Sequence, residues 1–225
     1  GWHTAASGGS KISATTTYTA AGNQTLYAHW TLNTYSISYN ANGGSLSGQK
    51  TSYNVNTDSF TLPTPTKNGY TFTGWTGSNG TTTQKSVTIT KGSTGNRSYT
   101  ANWTPTNYTI NYTLNGGSIS GQRTSFNIET ATFTLPQPTR NGYTFTGWTG
   151  SNGTTAQKSV TITKGSTGNK SYTAHWTPVN YTISYNANGG SLSGQKTSYN
   201  IETATFTLPT PTRTGYTFTG WTGSN

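Results

Sequence analysis

Apolar and polar positions alternate along most of this chain. Tyr35, Ile37 and Tyr39 fall on one side of an extended segment, with Ser36 and Ser38 on the other. Tyr53/Val55, Phe60/Leu62, Tyr70/Phe72, Val87/Ile89 and Tyr99/Ala101/Trp103 repeat the pattern. A period of two predicts half-buried β-strands, and the Thr and aromatic residues that fill them suit a pleated surface. Asn42-Gly43, Asn68-Gly69 and Asn79-Gly80 are tight-turn signals between the runs, because Asn and Gly accept the positive φ that hairpin turns require. Leu62-Pro63-Thr64-Pro65 predicts an extended connection, each proline turning its predecessor away from helix. No segment has the composition of a long helix; a short helix or helical turn stays compatible with the pattern.

The same pattern is copied along the chain. Trp2, Trp75, Trp148 and Trp221 recur every 73 residues, as do Trp30, Trp103 and Trp176, and Tyr35, Tyr108 and Tyr181. Residues 35–107 and 108–180 align without a gap, and most differences between them are mild: Leu46/Ile119, Lys50/Arg123, Tyr53/Phe126, Val55/Ile128. Such swaps keep size and polarity, as a shared core requires. The expected organisation is a closing part of a repeat at 1–34, complete repeats at 35–107 and 108–180, and an opening part at 181–225. Short polar stretches, Thr31–Thr34, Thr104–Asn107 and Thr177–Asn180, read as linkers.

A unit of this size is marginal for a single core, and large aromatics compensate, each burying roughly 150–250 Å². Trp75, Trp103, Tyr70, Phe72 and Phe60 are therefore assigned to the core first. Their repeats Tyr143, Phe145, Trp148 and Trp176 follow, with Trp30 and Trp221 in the partial units.

These motifs carry a family resemblance. Gly69-Tyr70-Thr71-Phe72-Thr73-Gly74-Trp75 resembles the GYTFxGW signature of the Listeria–Bacteroides repeat, the internalin B-type B-repeat. Thr25-Leu26-Tyr27-Ala28-His29-Trp30 is similar to its closing TLYAxW, and Tyr35–Tyr39 followed by Asn42-Gly43-Gly44 to its first strand and turn. The full units instead end Ser98-Tyr99-Thr100-Ala101-Asn102-Trp103, after an inserted-looking Lys91–Asn96. The resemblance implies a mainly β fold of small β-grasp-like domains in tandem, with little or no helix. It also implies residence in secreted or wall-anchored bacterial surface proteins, as stalks, spacers or interaction modules, and no catalytic residues.

Composition sharpens this picture by exclusion. With no Cys, disulfide and thiolate chemistry and Cys-based metal sites are impossible. No apolar run approaches the roughly 18 residues of a membrane helix. The absence of an initiator Met and of a signal peptide leads to the expectation of an interior piece of a longer precursor. Thr makes up roughly a quarter of the chain, far above ordinary usage. The 13% of aromatic residues, regularly spaced, argue against disorder. Asp58, Glu129 and Glu202 are the only acids, so a paired-carboxylate enzyme is nearly excluded.

Candidate chemistry is sparse. His3, His29 and His175 form no triad or metal set, and Asn102 stands where His175 does. Lys67-Asn68-Gly69 and Lys91-Gly92-Ser93 lack the spacing of a nucleotide loop. A Lys–Asn isopeptide crosslink needs a buried acid, and Asn56 replaces the acid found at Glu129 and Glu202. Sequons at Asn23, Asn79, Asn96, Asn152 and Asn169 arise readily from so much Thr. The net charge of +10 is dispersed, about +4 per full repeat with no dense run, which disfavours nucleic acid.

Lys85, Lys91, Lys158 and Lys164 are left as candidate weak contacts to anionic glycans or wall polymers. The expected function is a structural tandem array at the cell surface, stalk or fibre, without cofactor, catalysis or membrane insertion. Residues 181–225 of one copy are expected to complete residues 1–34 of the next, head to tail, the alternative being that covalent neighbours in a longer chain complete both. The alternative is an adhesin-type module for cell-wall or host glycans, which an exposed Trp75 or a shared Lys85–Lys91 face would favour.

Overall fold

The computed structural model describes residues 1–13, 15, 17 and 21–223. The chain falls into two compact units, 1–104 and 105–225. Among the described residues every regular element is a strand, so the fold is mainly β.

Residues 35–105 build a five-stranded mixed sheet. Its spatial order is Ser52–Tyr53, Tyr35–Asn40, Arg97–Pro105, Tyr70–Gly77, Gly80–Gln84. The first long strand and the last lie side by side and parallel, with Ile37 opposite Arg97 and Tyr39 opposite Tyr99. A parallel pair demands a crossover connection. Here the crossing chain carries a small ribbon, Phe60–Thr61 against Thr88–Ile89. Residues 108–178 repeat the arrangement: Tyr108–Thr113 runs parallel to Lys170–Pro178, which pairs antiparallel with Tyr143–Gly150.

Local chemistry accounts for these elements. In Tyr35–Asn40, Ile37 is buried and both serines are exposed, as the alternation predicts. Asn42 and Gly43 both adopt positive φ, 49° and 80°, and Gly44 N–H donates to the Ala41 carbonyl at 3.0 Å. That is the type I′ turn that Asn-Gly favours. The strands run further than the linker reading anticipates, taking in Thr104-Pro105 and Thr177-Pro178. A proline at a strand's last residue forfeits little pairing.

The core of 35–105 gathers Ile37, Tyr53, Leu62, Phe72, Trp75, Val87, Ile89, Tyr99 and Ala101. Trp75 and Trp148 are completely buried. Phe72 and Tyr39 meet Trp75 edge-on at 5.5 and 5.8 Å between centroids, a preferred aromatic geometry.

Phe72 and Trp75 are three residues apart, an odd spacing that should put them on opposite faces. A β-bulge reconciles them: in the second repeat the pairing slips between Phe145 and Gly147. Gly147 adopts φ +146°, and a Cβ there would lie 2.5 Å from the Gln157 nitrogen. Glycine makes the bulge, and the bulge turns both rings into one core.

The partial segments are open. Trp2–His3 sits between Lys11–Ile12 and Tyr27–Ala28, and Tyr181–Thr182 pairs with Ser198–Tyr199. Two core assignments change here. Trp30 is 91% exposed, because residues 1–34 contain no counterpart of Phe72 or Gly44, against which Trp103 packs. Trp221 is only half-buried, although it keeps Tyr185 and Phe218 edge-on at 5.6 and 5.5 Å. Its own repeat supplies no closing strand among the described residues.

Candidate functional site

Tyr70 and Tyr143 also leave the core assigned to them. Both are half-buried at the start of the GYTF strand, each capped by a cation. Lys67 Nζ sits 4.3 Å from the Tyr70 ring centre and the Arg140 guanidinium 3.6 Å from that of Tyr143. Arg213 over Tyr216 repeats the contact at 3.9 Å. The basic residue before Asn-Gly or Thr-Gly thus stacks on the following tyrosine, a pairing that no period-two argument could reveal.

In the first full repeat, Lys67 and Tyr70 border a cleft of about 560 Å³ together with Thr64, Phe72, Lys85 and Trp103. Trp103 and Trp176 pack against the cores from their rims, and their indole N–H groups donate to the Ala41 and Leu114 carbonyls at 3.1 and 2.9 Å. Phe72 and Phe145 lie between rim and core, 9% and 8% exposed.

The four candidate lysines are exposed and do not act as one group. Lys85 lines the cleft. Lys91 Nζ instead pairs with Asp58 at 2.9 Å, both side chains well solvated, an ion pair of the weakly stabilising kind. Lys164 has no such partner available, since Ala131 stands where Asp58 does; its backbone N–H donates to Thr132 Oγ1. The Lys158 carbonyl accepts from Gln137 Nε2 at 3.3 Å. Asp58 is 90% exposed, which removes the buried acid an isopeptide bond would need there.

The histidines fall on two facing repeat positions: His29 and His175 are equivalent to Asn102, and the side chain at each of these meets the one at 3, 149 or 76 respectively, His3 being the third histidine. Asn102 Nδ2 donates to Thr76 Oγ1 at 3.0 Å and to the Gly74 carbonyl at 3.2 Å. His175 Nε2 meets Thr149 Oγ1 at 2.7 Å, and His29 stacks on His3 at 3.9 Å. Among the described residues, no three His, Asp or Glu side chains gather into a metal-sized group.

Three of the sequon asparagines hold structure. Asn79 and Asn152 side-chain amides donate to the Trp75 and Trp148 carbonyls at 2.8 and 2.7 Å, and Asn96 Oδ1 accepts from Ser36 N–H. Behind the sheet, Arg97 Nε donates to Tyr53 Oη at 3.1 Å, a bond that raises the guanidinium pKa further. Burial pushes the hydroxyls of Tyr39, Tyr99 and Tyr172 up, and that of Tyr112 up to about 12.

One acid gained no role from sequence reasoning but has one in the structure. Glu202 Oε1 accepts from Tyr143 Oη at 3.0 Å, joining the 181–223 segment to the repeat before it.

A tandem of Gly-bulged, tryptophan-centred β units with an Asn-Gly turn after the first strand defines a class of mainly β tandem-repeat proteins. The chain matches the Listeria–Bacteroides repeat domain over residues 1–29, 35–102, 108–175 and 181–225, and it belongs to that family. A protein of Evansella cellulosilytica named "Putative membrane protein" is 31% identical over 212 residues, spanning 90% of this chain and 31% of that relative. Internalin H of Listeria monocytogenes is 40% identical over 75 residues, 33% of this chain and 13% of internalin H. This chain therefore spans less than a third of the length of either. No solved structure matches it.

Proposed function

We propose that the chain is a spacer segment of an extracellular surface protein, a stalk or fibre built by tandem repetition. The observation that carries this reading is the consumption of the family motif by packing. Trp75 and Trp148 are fully buried and Trp103 and Trp176 brace the Asn-Gly turns, so the recurring tryptophans of each full repeat serve its own fold. The relatives are much longer proteins in which such a segment is a small part, and one of them is named as a putative membrane protein, which supports a surface location. A globule of this size has a radius of gyration near 11 Å, so copies strung in line extend a head group by about 25 Å each. Small-angle scattering on arrays of two, four and six repeats tests this. Maximum dimension rising in proportion to copy number is expected, and growth as the cube root of mass overturns it.

The open segments extend the proposal to self-association. Tyr185, Phe218 and Trp221 hold a half-core in which Phe218 and Tyr216 are exposed, and Trp30 of the 1–34 segment carries the complementary closing pattern. A strand from a second copy completes such a half-core head to tail. Mass photometry of the 225-residue chain tests it: a ladder of multiples is expected, a strict monomer at micromolar concentration refutes it.

A second reading has one specific support. Lys67, Lys85, Tyr70 and Trp103 combine cations and ring faces around a single cleft, the chemistry that recognises an anionic glycan. The burial of Trp75 weighs against the form that an exposed Trp75 would favour, and Lys91 is already engaged by Asp58. Binding to wall polymers that is lost at high salt would favour it.

A further inference from the structure

We infer that the Gly142–Tyr143 corner is a docking surface for the Ile201–Glu202 turn of the following repeat, and that this contact clamps the two-residue connection Val179-Asn180 between them. This holds whether or not the array is a stalk.

Four contacts converge on the corner. Gly142 has φ +76°, and a Cβ on it would come within 2.8 Å of Ile201 Cδ1 and 3.1 Å of its Cβ. The isoleucine therefore rests directly on glycine backbone, an approach that any side chain at 142 would block. Next to it Tyr143 Oη donates to Glu202 Oε1 at 3.0 Å, while Arg140 covers the tyrosine ring and holds it in place. The connection is fastened from both sides. Val179 N–H donates to the Gly142 carbonyl at 2.9 Å, and Asn200 Nδ2 donates to Asn180 Oδ1 at 2.9 Å.

The turn that presents the dipeptide is itself fixed. Asn200 Oδ1 accepts from Glu202 N–H at 3.0 Å, Asn200 N–H donates to Thr203 Oγ1 at 2.9 Å, and Thr203 N–H donates to the Asn200 carbonyl at 3.0 Å. None of these bonds uses the Glu202 carboxylate.

A comparison within the chain separates this role from folding. The repeat at 35–105 has Val55-Asn56 at the same position, and its turn closes with the same bond, Asn56 N–H to Asn54 Oδ1 at 3.0 Å. That repeat forms a full core without the acid. The carboxylate at 202 thus does nothing for its own repeat; its bonding partner lies in the preceding one. The partner class is narrow: a β-branched residue followed by an acid, on an Asn-initiated turn.

The test uses hydrogen exchange on the 225-residue chain, read at the Val179 amide. Tyr143→Phe removes the hydroxyl and Ile201→Ala the apolar contact, without backbone strain. Each should speed Val179 exchange about two- to tenfold, the span of one ordinary interaction. Protection of 108–113 and 170–176 should stay unchanged, and Asn56→Glu, outside the corner, should leave Val179 as it was. Unchanged Val179 exchange in both variants overturns the inference. Equal loss of protection throughout 108–178 does so as well, because the pair would then be part of the core.

Discussion

Truncation of one buried tryptophan tests the claim that each repeat owns its core. Trp148 is fully buried, ringed by Tyr112, Phe145 and Tyr172 at 5.3 to 6.4 Å. Burying roughly 200 Å² at about 25 cal/mol/Å² contributes about 5 kcal/mol, and Trp→Ala truncations in cores cost about 3–5 kcal/mol. A domain of about 70 residues has a total stability of roughly 4–10 kcal/mol, so Trp148→Ala should take this repeat to the edge of unfolding. The Trp148 indole N–H makes no hydrogen bond to another protein group, so the truncation breaks none.

Trp176→Phe is the contrasting variant. It keeps a ring on Phe145 and loses the bond to the Leu114 carbonyl, a net cost of about 0.5–1.5 kcal/mol. Urea titration followed by hydrogen-exchange mass spectrometry resolves the two repeats by peptide. Trp148→Ala should strip protection from Tyr108–Thr113, Tyr143–Gly150 and Lys170–Pro178, while peptides of 35–105, whose core contains only its own residues, keep theirs. Protection within about 1 kcal/mol of the parent across those three strands would refute the magnitude. So would a Trp176→Phe variant less stable than Trp148→Ala.

Two further outcomes follow from the same packing. Gly117→Ala drives a Cβ onto Trp176 Cζ2 and to 3.0 Å from the Thr139 carbonyl, and should cost about 1–3 kcal/mol. Gly121→Ala meets nothing within 4 Å at φ +70° and should cost about 1–2 kcal/mol from left-handed strain alone. Urea midpoints order the two, and a larger loss at Gly121 would contradict the packing account. Alkaline pH should also unfold the repeats. Burial raises Tyr112 to about 12, with Tyr39, Tyr99 and Tyr172 moved the same way. The folded state therefore holds these protons more tightly than the unfolded chain, which releases them near pH 10. The stabilisation is complete below about pH 10 and is lost as pH rises towards 12. Tyrosinate absorbance and far-ultraviolet circular dichroism should show the last tyrosines ionising together with unfolding. Full ionisation near pH 10 with the β signal intact would contradict this.

Local features of the fold were legible because local chemistry dictates them. Asn42-Gly43 gives its turn from φ preferences alone, and Tyr35–Asn40 its buried face from alternation. Features resting on distant partners were not. The Phe72–Trp75 spacing looks wrong for one face until Gly74 is seen as a bulge. The Lys67, Arg140 and Arg213 stacks bring cation and ring together on a turn that the pattern marks only as polar. Glu202 could be read only as an acid without a repeat-wide partner, because its bond crosses to another repeat. What would have exposed it is the coincidence, in consecutive repeats, of Gly-Tyr with an acid that its own repeat does not require.

The same residue type at one repeat position shows where the stability resides. Trp103 and Trp176 are half-buried, whereas Trp30 is 91% exposed. Trp75 and Trp148 are sealed, whereas Trp221, with the same GYTFTGW segment around it, is not. Local sequence is nearly constant within each set, so local propensity does not decide burial. The parallel pairing of the first strand with the last does, with Ile37 set against Arg97 and Ile110 against Lys170. That ladder joins residues 60 apart, so its cost in chain entropy is met only when the whole repeat is in place. Neither the opening nor the closing segment holds half of the stability. An array made this way folds in whole periods, and any segment that begins or ends inside a period leaves an aromatic face that only a complementary strand can cover.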